Sequence, residues 1–158
     1  MSAFVATLAL SMSMVGGAAT SREWSPDYAK AFGSAKASQR PLLVVLEKPQ
    51  EPSAQVKQAS FTTDDTMNAL LGPYELCRVD VSSPYGRKVA AAFGATRFPF
   101  TAITDRSCTV LVYKKTGRFT TQEWVAMLVA YQRGDRPAMT PGTMTPGMMF
   151  PEAVTCFT

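Results

Sequence analysis

The chain has 158 residues and a net charge of +4 from 16 basic and 12 acidic side chains, enough for one domain with an ordinary core and no second fold. It contains no histidine, which removes the commonest general base and metal ligand together and excludes Ser-His-Asp and Cys-His enzymes. Its basic residues form no run that would track nucleic acid, so the basicity reads as solubility or weak attraction to acidic surfaces.

Residues 1–19, MSAFVATLALSMSMVGGAA, carry no charged side chain and end on Gly17-Ala18-Ala19, an apolar stretch followed by small residues at a cleavage position. This reads as a signal peptide. An uncleaved N-terminal anchor or a misplaced start codon is the alternative, because the usual Lys or Arg near the start is missing. Export puts the domain in an oxidising, periplasmic or otherwise extracytoplasmic compartment.

Ser25-Pro26-Asp27 then reads as N-cap, N1 proline and first-turn acid of a helix running to about Gln39, with Tyr28, Ala31, Phe32 and Ala35 on one face. Pro41 leads into LLVVL, whose unbroken apolar run predicts a central strand buried on both faces. The loop beyond it holds Lys48, Pro49, Gln50, Glu51, Pro52 and Ser53. Ser53 is predicted to cap a helix through Ser60, and Thr63-Asp64-Asp65 to start another carrying Met67, Leu70 and Leu71, stopped by Gly72-Pro73. YELCRVDV, 74–81, alternates as a second strand.

Ser83-Pro84 repeats the cap-plus-proline entry for a helix with Val89, Ala92 and Phe93 inward and Gly94 as its stop. FPFTAIT and CTVLVYK are read as the third and fourth strands, and the short turn Asp105-Arg106-Ser107 between them implies an antiparallel hairpin. The last helix has a capping box at Thr120 and Glu123 and a hydrophobic staple at Phe119 and Trp124, with Val125, Leu128 and Val129 toward the sheet. From Asp135 the text turns to Pro, Gly, Thr and Met without periodicity, the composition of a flexible tail.

The order helix, buried strand, split helix, strand, helix, X-Pro strand, hairpin strand and capped helix resembles a thioredoxin-like domain over residues 22–134. The segments WSPDYAKAFGSAKASQRPLLVVLE, YELCRVDVSS and AAAFGATRFPFTAITD carry the likeness. The resemblance implies an α/β fold with a central four-stranded mixed sheet flanked by helices, a leader at 1–19 and a tail at 135–158. It implies that Pro99 is a cis proline whose neighbour Phe98 offers backbone groups to an extended peptide. Taken alone, a proline at the first residue of a strand is equally compatible with an ordinary trans bond.

In that family the redox dithiol follows the first strand, near Glu51 to Ala54, and there the sequence reads EPSA. The first sulfur of a C-x-x-C pair works because a helix N-terminus favours thiolate over thiol. Ser53 cannot substitute, since a hydroxyl is too weak an acid to act without a base and the chain has no histidine. Glu51 reads as a loop acid near a helix start.

The cysteines, Cys77, Cys108 and Cys156, lack C-x-x-C spacing. In the sheet order that the resemblance implies, Cys77 and Cys108 stand three strands apart, roughly 14 Å at about 4.8 Å per step, too far for a disulfide. Cys77 reads as a small core residue, Cys108 as a strand-start residue, and Cys156 as free to pair with Cys108 or another chain. Met139, Met144, Met148 and Met149 in the tail are thioethers of the kind that select Cu(I), against the plainer reading of a linker.

The expectation is a redox-inactive, exported binding or scaffold module without a cofactor, holding an extended peptide or partner protein in a groove of Glu51, Ser53, Phe98, Pro99 and Phe100, with Phe100 as readily a core residue. No nucleic acid and no membrane contact beyond an N-terminal anchor are expected. The alternatives are a monothiol oxidoreductase acting through Cys108 or Cys156 with a partner, and Cu(I) handling by the tail.

Overall fold

The computed structural model describes residues 23–56 and 65–138. The leader at 1–19, the helix start at Thr63, Cys156 and the four tail methionines fall outside the described residues. The elements are α1 (Tyr28–Ser38), β1 (Leu42–Glu47), a 3-10 turn at Pro52–Ala54, α2 (Asp65–Leu71), β2 (Glu75–Asp80), α3 (Pro84–Ala92), β3 (Phe100–Thr104), β4 (Leu111–Thr116) and α4 (Thr121–Tyr131).

The strands form one mixed sheet in the order β2-β1-β3-β4, with β1 parallel to β2 and antiparallel to β3, and β3 and β4 closing an antiparallel hairpin. This is the four-stranded mixed sheet with flanking helices that the resemblance implies. The apolar run of β1 is explained by its position: it has a strand on each side and a helical layer on each face, and all six of its residues are buried.

Alternation along β1 sorts its side chains into two cores. Leu42, Val44 and Leu46 join Ala31 and Ala35 of α1 and Val89, Ala90 and Phe93 at α3, while Leu43 and Val45 join Met67 and Leu71 of α2 and Trp124, Met127 and Leu128 of α4. Tyr74 ties the second core together by donating its hydroxyl to the Leu128 carbonyl at 2.7 Å.

Two helix starts follow the local sequence closely. Ser83 accepts from the Gly86 N–H ahead of Pro84, and at α4 the Thr120 side chain and the Glu123 side chain cap each other's backbone N–H groups. The staple is formed too, with the Phe119 and Trp124 rings 5.2 Å apart and nearly perpendicular.

Several expectations are corrected. The N-cap of α1 is Asp27, which accepts from the Lys30 N–H, because Ser25 is drawn away to bridge β2: its N–H donates to Leu76 and its carbonyl accepts from Arg78. Ser53 lies inside the 3-10 turn that opens after Glu51, so it caps no helix in the described residues. Ala92 faces outward and Ala90 inward, since α3 is rolled so that its Val89 stripe meets the sheet.

At α4 the inward residues are Trp124, Met127 and Leu128, and Val129 is left exposed. β4 begins at Leu111 rather than Cys108. Asp105 holds the chain in a turn until then, its carboxylate accepting from the N–H groups of Thr109 and Val110 at 2.8 and 2.9 Å, with Cys108 at a φ of 58°.

Candidate functional site

Three loops meet at the end of the sheet where β1 finishes. The first runs from Lys48 to Val56 and is closed by its own backbone: Lys48 N–H donates to the Ala54 carbonyl at 3.1 Å, Glu51 N–H to Lys48 at 3.0 Å, and Ala54 N–H to Glu51 at 2.8 Å. Across its mouth Lys48 pairs with Glu51 at 2.9 Å.

Glu47 anchors the root of this loop. It is 1% exposed, and one carboxylate oxygen accepts from the Val56 N–H at 3.1 Å while the other takes Nε of Arg78. Its carbonyl also accepts from Val81 N–H, which ties the end of β1 to the chain leaving β2. A buried carboxylate needs such partners to offset the loss of its hydration.

The second loop is the turn into β3, where the Phe98–Pro99 peptide bond is cis. The last pair of the β1–β3 ladder sets Leu46 opposite Phe100, so the proline turn enters β3 at the end of the sheet where the first loop leaves β1. The third loop leaves β4. Gly117 N–H donates to the Pro99 carbonyl at 2.8 Å, and Arg118 reaches across to donate from Nη2 to the Pro52 carbonyl. Arg118 therefore joins the third loop to the first, beside the second.

Of the five residues expected at the groove, Glu51 and Ser53 are exposed on the first loop, Phe98 is half-buried at the second, and Pro99 is buried at the cis bond. Phe100 takes the other role foreseen for it. At 5% exposure it packs in the first core, its ring 6.3 Å from that of Phe93, and presents no surface to a ligand. Glu47 and Arg118 were not singled out from the sequence. Glu47 reads there as the polar end of an apolar run, and Arg118 as one more loop cation.

The site's chemistry is that of a turn without sulfur. Residues 51–54 supply a carboxylate, an imide, a hydroxyl and a methyl group, with no thiol among them. The two described cysteines are elsewhere. Cys77 is fully buried in β2 and burial pushes its thiol up to about 12, and Cys108, 1% exposed, is raised by burial against the smaller opposing effect of the Thr104 hydroxyl. Neither meets the description of a reactive thiol, which is exposed and acidified.

A family model described as thioredoxin-like matches residues 23–105 of the chain. Among solved structures, the chain is similar to a thioredoxin from Thermus thermophilus (21% identity, TM-score 0.55, covering 69% of this chain and 85% of that one). It is also similar to a disulphide isomerase from Xylella fastidiosa Temecula1 (17%, TM-score 0.51, 64% and 85%) and to the oxidised C-terminal domain of DsbD from Neisseria meningitidis (11%, TM-score 0.51, 71% and 99%). At these identities the likeness is one of fold. The search of curated proteins found no match.

Proposed function

The chain belongs to the thioredoxin-like family, and from that premise we propose that it is a redox-inactive, exported binding or scaffold module that holds an extended peptide or partner segment at the cis-proline turn. One observation carries the reading. The turn Glu51-Pro52-Ser53-Ala54, in the loop that leaves β1 at the end of the sheet where the cis Phe98–Pro99 turn enters β3, keeps a defined backbone geometry and contains no sulfur. Loss of the thiols removes electron exchange and leaves the loops that flank the proline.

Thiol–disulfide exchange requires a thiolate that can reach a disulfide sulfur and displace the other as a leaving group. Cys108 is poorly suited to that attack because it is enclosed in the first core and its ionisation is disfavoured. The oxidoreductase alternative then rests on Cys156, outside the described residues.

The test has two arms. In an insulin-reduction assay the purified chain should not raise the rate above that of the dithiol reductant alone. In an amide NMR titration with an extended peptide, the shifts should concentrate at residues 48–54, 97–98 and 117–118. Catalysed turnover that disappears in Cys108→Ser or Cys156→Ser would overturn the reading in favour of an enzyme.

A further inference from the structure

The three loops differ in how their charges are balanced. Lys48 is neutralised by Glu51, and Lys115, near the end of β4, is neutralised by Glu123 at 2.8 Å. Asp80, whose carboxylate accepts from the Ser82 N–H, lies at the end of β2 and so across β1 from the proline turn. Two cations remain on the proline side. Arg97 and Arg118 are both exposed, and neither makes an ion pair among the described residues.

Their placement follows from the ladder. Phe100 stands opposite Thr116, and the bond from Gly117 N–H to the Pro99 carbonyl carries the pairing one step on, so Arg118 follows directly on the residue bonded to the proline turn. Arg97 is the residue before Phe98. Arg118 is also held in place: one N–H donates to the Pro52 carbonyl, while the guanidinium has further donors in the same plane. A fork fixed by one bond loses less freedom when it takes a carboxylate than a free side chain does.

We propose that the segment received at this site carries carboxylate side chains, with Arg118 as its anchor and Arg97 as a second cation beside the proline turn. The inference rests on the peptide-binding reading above and adds the chemistry of the partner. An extended peptide running past Phe98 would meet Arg118 on one side and Arg97 next to it, so acidic residues gain Coulomb attraction and a paired hydrogen bond. Basic residues meet like charge.

The experiment is a fluorescence-polarisation titration of the full chain with three labelled peptides, alternating Thr with Glu, Gln or Lys. At low salt the Glu peptide should bind at least about tenfold more tightly than the Gln peptide and the Lys peptide most weakly, and raising the salt should shrink the difference. Arg118→Glu should abolish or reverse the preference, and Arg118→Lys should keep only part of it because the fork is lost.

Lys36→Glu makes the same change in net charge on the last turn of α1, at the far end of the sheet, and should leave the preference intact. Binding of none of the peptides would overturn the groove reading and this inference with it. Equal binding of the Glu and Gln peptides would overturn the inference and leave the groove standing. A preference weakened equally by Lys36→Glu and Arg118→Glu would overturn it as general attraction to a basic protein.

Discussion

Glu47 sits at the root of the first loop with both carboxylate oxygens engaged, one by Val56 N–H and one by Arg78. Replacing it with alanine leaves the Val56 N–H without its acceptor and takes from Arg78 a buried carboxylate. Arg78 is itself one-third exposed and can recover hydration, so the loss should fall at about 2 to 3 kcal/mol, below the figure for a fully buried pair. Urea unfolding should show the lowered midpoint, and amide exchange at Val56 should quicken; an unchanged midpoint would mean that the network contributes nothing net. The thiols make a second residue-scale test. With a pKa near 12 for Cys77, its thiolate fraction at pH 8 is about one in ten thousand. Cys108 is buried as well and its ionisation is likewise disfavoured, so iodoacetamide should label neither thiol in the folded chain and both in urea, which peptide mapping would reveal. Gly86 shows how tightly the same region is built. A Cβ there would lie 2.7 Å from the Asp80 carbonyl carbon and 2.8 Å from Val81 Cα, so α3 presses directly on the end of β2. Gly86→Ala should be destabilising by about 1 to 3 kcal/mol in the same urea assay, although alanine is the better helix former.

At the scale of elements, α4 carries a pH-dependent cap. Glu123 has a pKa held down to about 2 from an ordinary 4.5, first by its hydrogen bond from Lys115 and then by those from Thr120. A depressed folded-state pKa contributes stability that is present above the unfolded value and is lost as pH falls through the folded one. The melting temperature of the wild type should therefore fall toward that of Glu123→Gln between pH 4.5 and 2, while above pH 5 the wild type should be the more stable; parallel curves would show that the cap does not titrate with folding. This element was legible in the sequence because Thr120 and Glu123 are three residues apart and need no tertiary partner. The start of α1 was not, because Ser25 is a good cap residue claimed by the edge of β2, some fifty positions along the chain. Helix rotation misled in a similar way: apolar periodicity marks a stripe, but whether Met127 or Val129 lies inside depends on how α4 sits on the sheet. The candidate site divides along the same line. The loop after β1 could be located from local text and Phe98–Pro99 through the family resemblance, whereas Glu47–Arg78 and Arg118–Pro52 join residues 31 and 66 positions apart and became visible only in three dimensions.

For the whole molecule the governing feature is that β1 belongs to both cores and also launches the loop of the candidate site. Val44 and Val45 are adjacent in sequence and point to opposite faces, the first toward α1 and α3, the second toward α4. If each face unfolded alone, a cavity in one would leave the other untouched. A shared strand forbids that, because losing the register of β1 on one face moves its side chains on both. The two tryptophans make the distinction measurable, since Trp124 lies in the second core and Trp24 packs against it, with none in the first. Val44→Ala opens space only in the first core and should be destabilising by about 2 to 3 kcal/mol. Tryptophan fluorescence reports only the second core, yet its urea midpoint should fall with that of far-ultraviolet circular dichroism, and Val45→Ala should give the same coincidence from the other side. Separation of the two midpoints in Val44→Ala would show that the faces melt independently, and the loops at the end of β1 would then rest on the weaker of two layers instead of on one cooperative unit.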